Sequence, residues 1–157
     1  MATRKAPEGI KIIAQNRRAR HEYEIIQRLE AGVVLLGSEV KALRAGRVNL
    51  GDSYAEIKSG EVWLVKMHIG PYEMANRLNH DPFRRRKLLL NRREIRKLQP
   101  KLDEGGRTLV PLKIYFKHGL VKVELALARG KKLYDKRQDK AKADADRQMA
   151  KITGRRG

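Results

Sequence analysis

Cysteine is absent from this sequence of 157 residues. Its absence excludes a disulfide framework, a thiolate zinc site, an iron–sulfur cluster and a cysteine nucleophile. Long apolar runs are also missing, because no stretch approaches the ~18 residues that a membrane-spanning helix needs. Residues 1–9 lack the apolar stretch of a secretory signal peptide. We therefore expect a cytoplasmic protein without a membrane partner.

Histidine and serine are few, and neither forms a recognisable catalytic or metal-binding pattern. The four histidines show no metal-ligand spacing, and the HExxH and EF-hand patterns do not occur. No serine lies in a Gly-x-Ser-x-Gly turn, and no pair of carboxylates stands out as an acid and a base. The sequence therefore predicts a protein with no catalytic residue, no metal and no cofactor.

Negative charge is scarce, since 18 Asp and Glu stand against 37 Lys and Arg and leave a formal net charge of +19. The surplus is segmental: the net charge is +5 over residues 1–21, −2 over 22–83, +8 over 84–101, +2 over 102–130 and +6 over 131–157. A near-neutral centre with basic segments is typical of a protein that binds a polyanion. Nucleic acid is favoured over an anionic membrane, because the basic tail lacks the large apolar residues of a membrane-surface helix.

Two β-hairpins are predicted from alternating apolar residues on either side of short turn signals. The first joins residues 53–58 to 61–67 through Ser59-Gly60, and the second joins residues 109–116 to 120–127 through residues 117–119. In the second hairpin the apolar residues alternate with polar ones and alanine, which indicates one buried face.

Further elements are indicated by more local signals. Strand patterns cover residues 10–14, 23–29 and 33–36. A short helix over residues 39–44 has Ser38 as its expected N-cap and Gly46 as its stop. A second helix is expected to begin at Asn91, with an apolar stripe of Ile95, Leu98 and Leu102 and an end made uncertain by Pro100.

About seven short strands with few helices predict a mainly β protein. We expect a small closed antiparallel barrel resembling an OB fold, because an open sheet would leave its edges exposed. The expected organisation is a flexible arm at residues 1–9, an RNA-binding barrel at 10–130 and a basic tail at 131–157. The tail has too little apolar surface to offset its ordering entropy and is expected to be disordered when free.

Aromatic side chains beside cations are candidates for stacking on nucleobases. His21, Tyr72, Phe83 and Tyr134 lie in such settings, whereas the aromatic residues inside strand patterns are expected to be core. His21 ends a polar segment, residues 16–21, that carries three arginines. We expect this segment to be a loop without a packing role. The four like charges at residues 84–87 repel one another unless an anion is near.

Five segments, in order along nearly the whole chain, resemble the SmpB family of bacterial SsrA-binding proteins. They are Asn-Arg-Arg-Ala-Arg-His-Glu-Tyr at 16–23, Glu-Ala-Gly at 30–32, Gly-Ser-Glu-Val-Lys-Ala-Leu-Arg-Ala-Gly at 37–46, Arg-Lys-Leu-Leu-Leu-Asn at 86–91 and Gly-Lys-Lys-Leu-Tyr-Asp-Lys-Arg at 130–137.

This resemblance implies an OB-type barrel that binds the tRNA-like domain of transfer-messenger RNA (tmRNA) and delivers it to stalled ribosomes. It implies contact with the small-subunit decoding centre and the mRNA channel, where the tail becomes a helix and senses that the message has run out. It implies an indirect partnership with elongation factor Tu through alanyl-tmRNA, no catalysis and a monomeric protein. The residues expected to contact tmRNA are Arg17, Arg18, Arg20, His21, Glu30, Arg86, Lys87, Leu89 and Asn91. Those expected to contact the ribosome are Lys131, Lys132, Tyr134, Asp135, Lys136, Arg137, Met149 and Ile152.

Several alternatives stay open at this point. Asn91 has a second interpretation as a helix cap, and Leu89 has one as a core residue. Glu30 could accept hydrogen bonds from RNA amino or hydroxyl groups, or orient an arginine. At the level of the whole protein, the rival interpretations are an integral ribosomal protein that binds rRNA and an RNA-modifying enzyme.

Overall fold

A computed structural model describes residues 9–72 and 79–130. These ranges contain nine strands and three helices, and they confirm the predicted mainly β class. The strands are β1 (Ile10–Gln15), β2 (Tyr23–Val33), β3 (Val48–Asn49), β4 (Tyr54–Lys58), β5 (Glu61–Val65), β6 (His68–Ile69), β7 (Arg86–Leu89), β8 (Arg107–Lys117) and β9 (Leu120–Gly130). The helices are α1 (Arg17–Glu22), α2 (Gly37–Arg44) and α3 (Arg92–Asp103). The predictions for residues 1–8 and for the tail from Lys131 lie outside the described residues.

Seven of these strands form one antiparallel sheet in the order β1-β8-β4-β5-β7-β2-β9, and β8 also pairs with β9. One side of β8 is shared, since β4 meets it at Leu109 and β1 meets it at residues 113–117. The short strands β3 and β6 pair separately. The pairing path from β8 through β4, β5, β7, β2 and β9 therefore returns to β8.

Both predicted hairpins are present. Ser59 and Gly60 have φ angles of +52° and +75° between β4 and β5, and His118 and Gly119 have +50° and +81° between β8 and β9. Two consecutive residues with positive φ are typical of the type I′ turns that suit twisted antiparallel strands. The turns therefore specify the register of each hairpin locally.

The main core lies on the inner face of this sheet. Val123, Leu125 and Leu127 of β9 are fully buried there, as the alternation of the second hairpin predicts. The opposite face of β9 is also buried, because Ala126 and Ala128 form a second cluster with Ala19, Val110 and Leu112. The expectation of one buried face was incomplete, since the small alanines allow α1 to pack closely on the outside.

The prediction of a polar loop at residues 16–21 was wrong, because Asn16 is the N-cap of helix α1 and residues 17–21 lie within that helix. The Asn16 side-chain oxygen accepts a hydrogen bond from the Ala19 amide at 3.1 Å, and its Nδ2 donates to the Pro111 carbonyl at 3.0 Å. Asn16 is buried and thus caps α1 while attaching it to β8. So short a helix depends on this tertiary support, which local sequence patterns do not report.

Two other boundaries differ from the predictions, and one uncertain boundary is now defined. Strand β2 continues through Gly32 to Val33, and residues 34–36 are not a strand. The N-cap of α2 is Leu36, and the Ser38 hydroxyl instead contacts His80 Nδ1 at 2.9 Å. Helix α3 starts after Asn91 as expected and continues past Pro100 to Asp103.

Candidate nucleic-acid interface

The outer face of the β2–β9 pair brings together predicted site residues from distant segments. In the strand register, Glu30 lies opposite Glu124, and Gly32 lies opposite both Lys122 of β9 and Leu89 of β7. Directly opposed residues share one face of a sheet. Glu30 and Leu89 therefore occupy adjacent positions on this surface, which we call the β2–β9 outer face.

Glu30 is held in this face by two neighbours from β8. Its carboxylate accepts hydrogen bonds from Lys117 Nζ at 3.2 Å and from the Tyr115 hydroxyl. The hydrogen bond from Tyr115 holds the pKa of Glu30 below its ordinary value, and Lys117 acts in the same direction against the opposing effect of burial. Burial and the hydrogen bond to Glu30 raise the pKa of Tyr115. Glu30 thus stays anionic near neutral pH and orients a lysine and a tyrosine.

Leu89 is on the surface, with 53% of the residue exposed, so the core interpretation of Leu89 was wrong. Its side chain lies against Gly32, where an added Cβ would be 3.3 Å from Leu89 Cβ and 3.7 Å from Lys122 Nζ. The glycine therefore leaves room for an exposed apolar group beside a cation. Such a pair can pack on a sugar or base and contact a phosphate at the same time.

Asn91 lies two residues after Leu89 and directly precedes α3. It occupies the N-cap position by backbone geometry, yet its side chain makes no capping hydrogen bond. The capping interpretation therefore does not explain the Asn91 side chain, which is exposed at the surface. The next helical turns present four exposed cations: Arg92, Arg93, Arg96 and Lys97.

Helix α1 extends the β2–β9 outer face at the end opposite Leu89. It packs on Ala126 and Ala128, which follow Glu124 on the same side of β9. Arg17, Arg20 and His21 are exposed on this helix. Arg18 differs, because its guanidinium lies 2.9 Å from carboxylate oxygens of Glu22 and Asp52. Arg17 makes no ion pair within residues 9–72 and 79–130.

Arg86 is fully buried, and the expectation that it contacts RNA is corrected by its position. Its guanidinium donates to Glu39 Oε2 at 2.6 Å, to the Met67 carbonyl at 2.5 Å and to the Pro82 carbonyl at 3.2 Å. Because strand residues alternate between faces, Lys87 points outward instead and lies 3.2 Å from Glu61. Arg86 therefore acts inside the protein.

Glu39 balances two arginines in this buried cluster. Its other oxygen, Oε1, accepts from Arg84 at 2.6 Å and from the Leu36 amide at 2.8 Å. Burial would raise the pKa of Glu39, but the hydrogen bonds from Arg84, the Leu36 amide and Arg86 outweigh it and hold the pKa below its ordinary value. The carboxylate is thus ionised and positions both guanidinium groups.

Sequence reasoning missed Tyr115, Lys117 and Lys122 as members of the outer face. The turn at residues 118–119 could have indicated two of these residues, because the hairpin register that it sets places Tyr115 opposite Lys122. The pairing of β9 with β2 has no such local signal. The predicted ribosome-contacting residues, from Lys131 to Ile152, lie outside the described residues.

In residues 9–72 and 79–130, no group of three His, Asp or Glu side chains is placed to hold a metal ion. No helix in those same ranges has the length and apolar character needed to cross a membrane.

Comparisons with known proteins agree with one another. A family model described as "SmpB protein" matches residues 13–155. The SsrA-binding protein of Desulfitobacterium hafniense is 60% identical over 144 residues, which cover 92% of each chain. The SsrA-binding protein of Mycobacterium leprae is 57% identical over 148 residues, or 94% of this chain and 92% of that protein. A chain of the solved structure described as "tmRNA-SmpB: a journey to the center of the bacterial ribosome" has a TM-score of 0.65 and 53% identity, and the likeness covers 76% of this chain and 85% of that one.

Proposed function

Because this chain belongs to the SmpB family, we propose that it binds tmRNA and delivers it to stalled ribosomes for trans-translation. The observation that carries the proposal is the 60% identity to an SsrA-binding protein over 92% of both chains. The net charge of +19 supports an RNA partner independently of that likeness. The family match favours a ribosome-associated factor over the alternative of an integral ribosomal protein.

The proposal extends to the organisation of the chain. Residues 10–130 act as one closed barrel of the OB type, with residues 1–9 as an arm and 131–157 as a tail. Support for closure comes from the path of strand pairing, which leaves β8 and returns to it through β9. Closure leaves few free strand edges, and it holds β2, β7, β8 and β9 in the register on which the outer face depends.

The β2–β9 outer face, together with α1 and Asn91, is the proposed contact surface for the tRNA-like domain. Lys117 and Lys122 supply positive charge there, and Leu89 supplies exposed apolar surface. Glu30 acts by holding Lys117 and Tyr115 in place before RNA binds. Phosphate contacts position an RNA, whereas apolar and base contacts discriminate between RNAs. The mixture of both kinds of group suits recognition of a folded RNA.

The remaining partners are proposed from the family. The protein acts as a monomer in the cytoplasm, meets elongation factor Tu indirectly through alanyl-tmRNA, and contributes binding without catalysis. The tail, residues 131–157, enters the vacant mRNA channel near the decoding centre and folds there as a helix. Its many lysines and arginines suit a channel lined by rRNA phosphates.

Replacing Leu89 by Ala is expected to weaken binding of the isolated tRNA-like domain about tenfold, which corresponds to about 1.4 kcal/mol. The reason is the loss of exposed apolar surface at the centre of the outer face. The affinity is measured by filter binding with the full chain. The matched control is Leu36→Ala, because Leu36 is 47% exposed, close to the 53% of Leu89, and lies outside the outer face. Equal affinities for the two variants would contradict the assignment of this surface.

Replacing Arg17 by Ala is expected to flatten the plot of log K against log salt by about one unit, because one phosphate contact is lost. Arg18→Ala is the matched control on the same helix. Its guanidinium is already compensated by Glu22 and Asp52, so a smaller change in slope is expected. The slopes are read from binding curves at several salt concentrations. An unchanged slope for Arg17→Ala would remove α1 from the contact surface.

A further inference from the structure

Phe83 is one of the two phenylalanines in the chain, and it is 59% exposed. Its ring makes an edge contact with the imidazole of His68, with centroids 5.0 Å apart and planes at 63°. An aromatic side chain exposed to this extent leaves considerable apolar area in contact with water. The fold itself gives no reason for this exposure.

The turn that carries Phe83 is anchored from both sides. The Phe83 amide donates to Asp81 Oδ1 at 3.0 Å, and the Pro82 carbonyl accepts from the Ile69 amide at 3.0 Å. The same carbonyl accepts from the buried guanidinium of Arg86 at 3.2 Å. The ring is therefore presented by backbone that is already ordered, and preorganisation of this kind lowers the entropic cost of binding a ligand.

A cleft of about 550 Å³ lies beside the ring, and Phe83, His68, Lys66, Arg18, Asn49 and Asp52 line it. Its volume lies in the range of about 300–1,000 Å³ that is typical of sites for small organic molecules. Lys66 has a φ angle of +62°, a conformation that residues other than glycine adopt rarely and that clusters at functional sites. The cleft thus combines an aromatic ring, two cations and one carboxylate.

We propose that this aromatic–cationic cleft binds an unpaired RNA nucleotide, with the base stacked on Phe83 and the phosphate near Lys66. Stacking on an aromatic ring suits any base, and cations beside the ring suit the backbone. Arg18 and Asp52 pair at 2.9 Å and compensate each other, so Lys66 gives the cleft its net positive charge. This charge favours an RNA over an apolar protein segment without acidic residues, because such a segment would gain nothing from Lys66.

The cleft shares no residue with the β2–β9 outer face, and it meets the proposed tmRNA surface only at Arg18 of α1, whose guanidinium is already paired with Glu22 and Asp52. The inference rests on the proposed function in taking RNA as the partner class, and it adds a second contact site centred on Phe83. Variants at Phe83 and at Leu89 therefore test the two sites separately.

The direct test follows the phenylalanine ring resonances of the full chain by NMR while decaadenylate is added. Only Phe83 and Phe116 contribute such signals, and a Phe83→Leu variant assigns them. Base stacking is expected to move the Phe83 signals upfield in a saturable way and to leave those of Phe116 in place. Phe83 signals that stay unmoved at saturating oligonucleotide would overturn the proposal. A larger shift with a polyglutamate peptide than with decaadenylate would also overturn it, in favour of an acidic peptide partner.

Affinity for the same oligonucleotide, measured by fluorescence anisotropy, gives a second test. Phe83→Leu is expected to bind about tenfold more weakly, whereas Phe83→Trp keeps a stacking surface and is expected to bind as the wild type does. Equal binding by the leucine variant and the wild type would overturn the proposal. Leu36→Ala, which truncates an exposed leucine outside both proposed sites, is expected to leave oligonucleotide affinity unchanged. Failure of the full chain to bind the tRNA-like domain would count against the proposed function and leave the NMR result on Phe83 standing.

Discussion

The Arg86→Ala variant is expected to lose about 3–5 kcal/mol of its free energy of unfolding, as is typical when one partner of a buried ion pair is removed. Arg86 is fully buried and donates to Glu39 and to three backbone carbonyls, those of Met67, Asp81 and Pro82. Without it, the Glu39 carboxylate keeps only Arg84 and one amide as partners. The carbonyls of Met67 and Pro82 lose a charged donor as well. Few single substitutions elsewhere in the described chain would disturb so many buried polar groups together.

The measurement is urea-induced unfolding followed by the fluorescence of Trp63, the single tryptophan. Arg85→Ala is the matched control, because Arg85 is the neighbouring residue and its ion pair with Glu56 is solvent-exposed. Exposed ion pairs contribute about 0–1 kcal/mol, so a small loss is expected there. Arg86→Lys keeps the charge but lacks the planar fork, and an intermediate loss is expected. Wild-type stability of Arg86→Ala combined with weaker RNA binding would restore Arg86 to the RNA contact surface.

Replacing Asp135, Lys136 and Arg137 together by Ala is expected to abolish peptide tagging on stalled ribosomes while tmRNA affinity stays nearly intact. The proposed tmRNA surface lies wholly within residues 10–130, whereas these three residues belong to the tail that we propose enters the mRNA channel. Under that proposal, ordering of the tail requires rRNA phosphates that neutralise its cations. Because a messenger strand in the channel would exclude the tail, its docking would then report that the message has run out.

Tagging is measured in a reconstituted translation system, and tmRNA affinity is measured by filter binding. The matched control replaces Lys151, Arg155 and Arg156 by Ala, which also removes three charged side chains but leaves residues 130–137 unchanged. We expect this control to retain most of the tagging activity. Deleting residues 131–157 is expected to change tmRNA affinity by less than about tenfold, or 1.4 kcal/mol. Wild-type tagging by the Asp135-Lys136-Arg137 variant would contradict the proposed role of the tail.

The elements that sequence patterns predicted well are those whose signals are local. Ser59-Gly60 and His118-Gly119 adopt the positive φ angles that tight hairpins need, so the turn residues and the flanking alternation point to the same structure. Helix α3 follows the stripe of Ile95, Leu98 and Leu102, of which Leu98 is fully buried. In each case the residues that specify the element lie within about a dozen positions of one another.

Helix α1 and the β2–β9 outer face were decided by residues far apart in the chain. Asn16, the cap of α1, is held by its hydrogen bond to the Pro111 carbonyl, and Ala126 and Ala128 provide the flat surface on which the helix packs. Glu30 meets Lys117, which lies 87 residues further along the chain. A pattern within one segment carries no information about such contacts, because the partner residues lie in other parts of the chain. A helix as short as α1 is not stable without them.

By itself, the sequence determined the mainly β class, the two hairpins, the polyanion partner class and the family, since composition, turn residues and ordered motifs can all be recognised along the chain. Which residues of strand β7 face the core was decided only by the tertiary structure. The inward pair is Arg86 with Leu88 and the outward pair is Lys87 with Leu89, so each face carries one cation and one leucine. Hydrophobic alternation gives no preference between two such faces. Glu39 on α2 decides which face is buried, because its carboxylate binds the inward-facing guanidinium of Arg86. A lysine in the same place could not form the planar hydrogen bonds of that guanidinium.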